Sequence, residues 1–187
     1  MAAASSQEEL HQQLPGGVAK WEETQIFFNQ DAAAIQSPLN NYLETALHVG
    51  AKVGNASFME KLVALLLLGE GEGEGDNELE EVEALGPRDA NGNTPLHIAA
   101  RQGNIEVADI LVRRNSNLLY LHNNDHFPIH FAALNFIKSK DAFLYFLGHT
   151  NEYGQPNPYE GPTGANILTN LIHHKFYGTY PAPPTIS

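Results

Sequence analysis

Residues 92–103 read GNTPLHIAARQG and carry the strongest local structural signals in the chain. Thr94 is a favourable helix N-cap, and Pro95 suits the first helical position, where its missing N–H would be unpaired anyway. His97 then stands at the third helical position, where a side chain can bond back to the cap. Gly103 suits the left-handed conformation that ends many helices. The stretch therefore predicts a short, well-capped helix.

The residues after the cap continue a helical pattern and then turn back. Leu96, Ala99 and Ala100 lie at i, i+3 and i+4, so they share one apolar face that another helix can approach closely. Residues 105–112 predict a return helix with an inner face formed by Val107, Ala108, Leu111 and Val112. One helical pair cannot bury its own apolar face, so the pattern predicts that several such units stack.

The pattern recurs along the chain. TPLHIAA at 94–100 is followed 33 residues later by FPIHFAA at 127–133, and TALHVGA precedes it by 49 residues at 45–51. The 49-residue shift is 33 plus 16, and the extra residues fall in the tract GEGEGEGDNELEEVE at 69–83. A fainter copy starts at Gly164, 39 residues beyond Asp125, which is the equivalent position of the third copy, with an excess of six in 153–162. This spacing predicts a repeat protein.

The recurring positions are those that build the start and end of each helix. We interpret them as a structural motif formed by Thr45, His48, Thr94, Pro95, Leu96, His97, Gly103, Pro128 and His130. In the first copy, the return helix is predicted from apolar residues at i, i+4, i+7 and i+8, which are Phe58, Leu62, Leu65 and Leu66.

These residues resemble the ankyrin repeat, whose signature GxTPLHxAAxxG is intact at 92–103. The likeness covers roughly residues 40–175 and implies an all-α solenoid of stacked helical hairpins with hairpin-like loops and a concave binding face. In the third copy, Phe127 replaces the capping Thr, which predicts a loss of about 1 kcal/mol. Asp125 and Phe136 replace the two glycines there.

The repeats and the tracts between them predict the organisation of the chain. We expect a disordered N-terminus at 1–7, a degenerate capping repeat at 8–40, ankyrin repeats at 41–68, 88–121 and 122–152, an acidic Gly/Glu-rich insertion at 69–87, a Gly/Pro-rich loop at 153–163, a partial fourth repeat at 164–178 and a tail at 179–187. The inner helix of the fourth repeat is expected from about residue 165 to 175.

A narrower resemblance rests on KWEETQIFF at 20–28 and ETALHVGAKVGNASFMEKLV at 44–63. Both are similar to plant ankyrin proteins of the accelerated-cell-death type, in which a membrane-embedded PGG domain follows the repeats. This chain ends in YPAPPTIS without such a domain. The resemblance implies a setting in stress or defence signalling. It also leaves an alternative, a truncated piece of a membrane signalling protein without activity of its own.

Charge and composition exclude several classes of function. The net charge of −12 is concentrated, because residues 62–87 hold eight acidic residues and no Lys or Arg. The remaining 14 acids and 10 bases form no cluster suited to nucleic acid. With no cysteine, there is no disulfide and no thiolate. The longest apolar run spans seven residues at 62–68, against about 20 for a membrane span.

The N-terminus has acidic residues and no apolar run of the kind found in signal peptides. We therefore expect an intracellular, cytoplasmic chain, or one at the cytoplasmic face of a membrane if it belongs to a longer product. The Gly/Glu tract lacks the sequence of a phosphate-binding loop, and its glutamates would repel phosphate. We expect a disordered acidic loop there; the alternative is a segment that binds a basic partner or weakly held cations.

The candidates for a catalytic or metal site are the histidines and the turn DANGN at 89–93. His48, His97 and His130 occupy equivalent positions in repeats about 10 Å apart, too far to share one zinc ion, so a capping role is favoured. His173 and His174 are adjacent on a predicted helix and do not share a face. Residues 89–93 resemble the start of a calcium loop but lack its later Gly and Glu. We expect no metal, no cofactor and no enzymatic activity.

The function that remains is binding of another protein by a monomeric module. The variable positions of the repeat predict a polar binding face with Tyr42 as its one large aromatic anchor. We define the predicted binding face as Asn41, Tyr42, Glu44, Lys52, Ala90, Asn91, Asn93, Arg101, Gln102, Asn123, Asn124, His126 and Asn135.

Overall fold

The computed structural model describes residues 32–68, 78–124, 126–151 and 156–173. Several expectations lie outside these residues. They are the disordered N-terminus, residues 8–31 of the capping repeat including the stretch 20–28, the Gly/Glu tract at 69–77, Asp125, His174, the end of the fourth repeat and the tail.

The described residues are helical. The α-helices are α1 (Ala46–Val53), α2 (Ala56–Leu68), α3 (Glu78–Leu85), α4 (Pro95–Gln102), α5 (Ile105–Arg114), α6 (Pro128–Leu134), α7 (Lys140–His149) and α8 (Gly161–His173), with short 3-10 helices at Ala32–Ile35 and Ser116–Tyr120. In the four described ranges there is no strand, and one antiparallel bridge joins Asn123 to His126. The predicted all-α class is confirmed.

The helices form two stacked rows. The inner helices α1, α4, α6 and α8 pack on one another in that order, and the outer helices α2, α5 and α7 do the same behind them. Alanines between the inner helices, among them Ala51, Ala99 and Ala132, are at most 1% exposed. Their small side chains allow the close approach that stacking requires. The fold is thus the predicted solenoid of helical hairpins.

The turn between the helices of a pair differs from repeat to repeat. Gly54 and Gly103 end α1 and α4 in the left-handed region, with φ of 78° and 80°. In the third repeat the helix ends at Asn135 with φ of −103°, and the following Phe136 turns inward. Its ring packs edge-on against Phe143, with ring centroids 5.6 Å apart. The residue that replaces glycine there joins the core.

The return helices agree with the sequence in one repeat and differ in another. In α5 the four predicted residues Val107, Ala108, Leu111 and Val112 are all buried, and the helix continues two residues further to Arg114. In α2 the buried side is formed by Met59, Leu62, Val63 and Leu66, while Phe58 and Leu65 are half-buried. Both sets satisfy helical spacing, so periodicity alone did not decide between them.

The acidic insertion predicted at 69–87 is not a loop throughout. Helix α3 occupies its second half, and Ala84 and Leu85 are 3% and 1% exposed within the core. Glu81 pairs with Arg114 of α5 at 3.0 Å. Glutamate, alanine and leucine are good helix formers, and the apolar end of this segment has a surface to pack on. The expectation of a loop is therefore wrong for residues 78–85.

The fourth repeat begins earlier than the sequence predicted. Helix α8 starts at Gly161 inside the expected loop at 153–163, and Pro162 lies in its first turn. Gly164, expected to begin the fourth repeat just before its inner helix, lies within this helix. A Cβ added there would clash with the carbonyl oxygen of Tyr159. The start of α8 therefore aligns Pro162 with Pro128, a shift of 34 residues. Glycine at position 164 allows the helix to approach the Tyr159 carbonyl closely.

Candidate protein-binding face

The hydrogen-bond geometry that recurs beneath the predicted binding face is complete at the start of α4. The Thr94 backbone N–H donates to His97 Nδ1 over 3.2 Å, and Thr94 Oγ1 lies 2.8 Å from the same nitrogen. Because a backbone N–H can only donate, Nδ1 accepts and the ring proton is on Nε2. Nε2 lies 3.1 Å from the carbonyl oxygen of His126 and donates to it. The His97 imidazole thus caps its own helix and forms a hydrogen bond to the loop of the next repeat.

The same arrangement is present at the start of α1. The Thr45 N–H donates to His48 Nδ1 over 3.1 Å, and His48 Nε2 lies 3.0 Å from the carbonyl oxygen of Asn93. Burial lowers the pKa of His97 to about 4 and also lowers the pKa of His48. Both rings are therefore neutral at pH 7, which leaves Nδ1 free of a proton and able to accept the cap hydrogen bond. The capping role predicted for this motif is what the hydrogen bonds show.

The third repeat keeps only part of this arrangement. The Phe127 N–H donates to His130 Nδ1 over 2.9 Å, but the phenyl ring offers no hydroxyl to the cap. His130 Nε2 is buried, and among the described residues it has no hydrogen-bond partner. Burial lowers the pKa of this histidine as well. No group of His, Asp or Glu in the described ranges is arranged to hold a metal ion.

A buried carboxylate shapes the second loop, residues 88–93. Asp89 Oδ1 accepts from the N–H groups of Asn91 and Asn93, each over 2.8 Å, and Asp89 Oδ2 accepts from Asn93 Nδ2 over 3.0 Å. The carboxylate is therefore saturated by its own loop, in agreement with a turn and not a calcium loop. The sequence DANGN at 89–93 indicates such a turn, but it does not indicate that the Asp89 carboxylate is buried.

The second loop is also tied to its neighbours. Asn93 Oδ1 accepts from Asn123 Nδ2 over 2.7 Å, and the Ala90 N–H donates to the Tyr42 carbonyl over 2.7 Å. Arg88 donates to the carbonyl of His122 over 2.8 Å. The three loops that precede α1, α4 and α6, which we call the first, second and third loops, are thereby held side by side. Their exposed tips therefore have a defined spacing.

The structure places most of the predicted binding face at the surface. Tyr42 is 67% exposed. The other exposed members are Asn41, Lys52, Ala90, Asn91, Arg101, Gln102 and Asn124, and the half-buried members are Glu44, Asn123, His126 and Asn135. Asn93 differs, because it is 3% exposed and its amide is engaged with Asp89 and Asn123. It supports the loops from below.

Six of the predicted residues meet in one cleft of about 790 Å³ between the second and third loops. We call it the polar cleft; its lining is Ala90, Asn91, Gly92, Asn93, Arg101, Asn123, Asn124 and Phe131. Sequence reasoning missed Phe131, which replaces Ile98 of the preceding repeat and is half-buried. Its ring lies edge-on to the His97 ring, with ring centroids 5.3 Å apart. The buried His97 therefore helps to position the aromatic side chain that lines the cleft.

Comparison with known protein families decides the identity of the repeat. Residues 61–157, which are 97 of the 187, match the family described as ankyrin repeats in three copies. The chain belongs to the ankyrin-repeat family. No curated protein sequence matches it. Ankyrin repeats generally mediate protein–protein interactions, and ankyrin-repeat proteins are typically non-catalytic. None of the described helices is long and apolar enough to cross a membrane.

Proposed function

We propose that this ankyrin-repeat chain binds another protein through the predicted binding face, with the polar cleft at its centre. The observation that carries the proposal is the separation of two sets of side chains. Most motif residues are buried, and His48 and His97 are hydrogen-bonded to their own caps and to the next loop. Most variable positions between them are exposed or half-buried. A rigid, exposed and varied surface on a regular scaffold is suited to recognition.

We propose further that the module is not an enzyme. The three motif histidines are at most 2% exposed and are held as caps, so they do not offer a base to a substrate. Asp89 is likewise enclosed by its own loop. A catalytic site needs an accessible base or nucleophile placed beside a cleft.

The test is affinity capture from the cytosol of the source organism with the intact chain and with Tyr42→Ala combined with Arg101→Ala. Both side chains are exposed, so the double variant is expected to fold and to lose the partner. The matched control is Arg113→Ala on the outer helix α5, whose side chain is 70% exposed. A partner that the double variant retains, or that the control also loses, contradicts this choice of face.

A second arm separates the repeat face from the acidic tract. The deletion removes only residues 69–77, because Ala84 and Leu85 of α3 belong to the core. We expect the shortened chain to capture the same partner. Loss of the partner would assign recognition to the tract instead.

We also propose a setting for this interaction. The likeness of residues 20–28 and 44–63 to plant accelerated-cell-death proteins supports a role in stress or defence signalling. We propose in addition that the module is cytoplasmic and monomeric. Measurement of the location of a tagged chain in plant cells, before and after pathogen challenge, tests the setting.

A further inference from the structure

We infer that the polar cleft takes an extended peptide segment that bears a carboxylate side chain, which pairs with Arg101. This inference rests on the proposed function and names the chemistry of the partner. The observation that carries it is a difference among three equivalent positions at the ends of the inner helices, which are occupied by Lys52, Arg101 and Leu134.

In the first repeat the cation at this position is neutralised within the chain. Lys52 Nζ lies 3.3 Å from Glu44 Oε1. The equivalent of Glu44 in the second repeat is Asn93, an uncharged side chain that is turned inward. Among the residues that the structure describes, no carboxylate lies within ion-pair distance of Arg101. In the third repeat the pair is His126 and Leu134, and the cation itself is missing.

The charges around the cleft favour an anion, although the chain as a whole carries −12. Of the residues that the structure describes, those lining the cleft include Arg101 and no carboxylate. Arg88 stands behind the second loop, where it donates to the carbonyls of Gly92 and His122. Among the described residues, Asp89 is the nearby acid, but its carboxylate is 7% exposed and accepts its hydrogen bonds from within the loop. The described charges at the cleft are thus Arg88, Arg101 and the enclosed Asp89, a net positive set that favours a carboxylate.

The remaining lining fits the backbone of an extended peptide. Asn91 and Asn124 are exposed and carry amides that can both donate and accept, as peptide groups require. Phe131 adds one aromatic surface between them. A polar cleft of this kind does not suit an apolar helix, which would leave these amides unpaired.

The experiment selects peptides and then exchanges charges. A random peptide library displayed on phage is panned against the intact immobilised chain, against Arg101→Glu and against Arg113→Glu. The last variant changes the net charge equally but on the outer helix. We expect Asp- and Glu-containing peptides to be enriched by the intact chain and by Arg113→Glu. Arg101→Glu should lose them and enrich Lys- and Arg-containing peptides.

The best peptide is then synthesised with a fluorescent label, and its Kd is measured by polarisation. Replacing its acidic residue by Asn or Gln should weaken binding to the intact chain about tenfold, and should have little further effect on Arg101→Gln. An acid-free consensus, or equal effects of Arg101→Glu and Arg113→Glu, overturns the inference.

A third variant keeps the two proposals apart. Asn91→Trp places a large ring at the mouth of the cleft without changing charge. If Asn91→Trp blocks peptides that lack an acidic residue, the carboxylate inference fails while the proposed face stands. If selected peptides still bind to Asn91→Trp, both the proposed face and the carboxylate inference are overturned.

Discussion

The joint between the second and third repeats differs from the joint between the third and fourth, although both start from the same Pro-x-His sequence. At the first joint, His97 Nε2 bonds the His126 carbonyl over 3.1 Å, and Asn123 bonds Asn93 over 2.7 Å. At the second joint, His130 Nε2 is buried and has no partner in the described part of the chain. Ile167 is the one buried residue described in α8.

The difference shows that the motif by itself supplies the helix cap but not the hydrogen bond to the next repeat. The histidine caps its own helix through Nδ1 in the first three repeats, which is a local interaction. The bond from Nε2 needs a carbonyl at a fixed place in the next loop, and the loop before α8 has a different register. An unpaired polar nitrogen inside the protein costs free energy, so the array should be most cohesive in its middle.

The largest expected effect comes from breaking the complete joint. His97→Leu keeps a similar volume but leaves the Thr94 N–H buried without a partner and removes one of the two hydrogen bonds that the His126 carbonyl accepts, the other coming from the Asn123 N–H. The free energy of unfolding should therefore fall by about 3 kcal/mol. His130→Leu also loses a cap bond, but it removes the unpaired nitrogen, so its net effect should stay below about 1 kcal/mol. Urea denaturation followed by circular dichroism measures both.

Equal losses in the two variants would contradict the proposed difference between the joints. If His97→Leu is too unstable to purify, His97→Gln serves instead, because its amide can restore one of the two bonds. We expect this variant to lose roughly half as much free energy.

Acid should weaken the same joint. Burial lowers the pKa of His97 from its ordinary value of 6.5 to about 4. Between these values the unfolded chain binds a proton at His97 that the folded chain does not, so stability is complete above pH 6.5 and is lost as the pH falls towards 4. The loss from His97 alone amounts to about 3 kcal/mol. The pKa values of His48 and His130 are lowered too, so they act in the same direction.

Unfolding curves of the intact chain and of His97→Leu, measured from pH 7 to pH 4, isolate this contribution. The two free energies should differ most at neutral pH and converge in acid. Parallel curves would show that His97 does not titrate with a lowered pKa.

The weak cap of the third repeat provides a smaller test. Phe127→Thr restores the consensus cap, worth about 1 kcal/mol, but it removes a ring that is 5% exposed and packs near His122 and His130. Loss of a buried aromatic ring costs about 3 kcal/mol, so the net change should be a loss of about 2 kcal/mol. Thermal unfolding measures it, with Phe127→Leu as the control that keeps most of the burial. A stabilised Phe127→Thr would show that the cap outweighs the ring.

This case also shows where sequence reasoning succeeds. The caps at Thr45 and Thr94 and the glycine turn at Gly103 depend on neighbours within a few residues, so the sequence predicts them. The stacking follows from the repeat period. By contrast, the sequence presents Phe127 only as a poor cap, and its burial depends on side chains brought together by the fold.

The missed features share this dependence on tertiary contacts. Residues 78–85 follow a Gly/Glu tract and resemble its continuation, yet Leu85 finds a place in the core. Asn93 occupies a variable position, yet the buried Asp89 turns it inward. Six of the residues that line the polar cleft belong to the predicted binding face, whereas Gly92 and Phe131 do not. What the sequence could not provide is which of those residues share one cavity and which cation lacks a partner.

The smallest expected effect concerns the incomplete joint. Gly164→Ala places a methyl group against the Tyr159 carbonyl and should displace the first turn of α8. Because α8 ends the described array and is weakly joined, the loss should be local. Amide hydrogen exchange should accelerate about tenfold in α8 and stay unchanged in α4 and α6. The global free energy of unfolding should fall by less than about 1 kcal/mol.

Gly148→Ala is the control for this variant. A Cβ at position 148 meets nothing within 4 Å, so the substitution should stabilise α7 by about 0.5 kcal/mol. A global loss as large as that of His97→Leu would mean that the terminal joint is as strongly coupled as the central one.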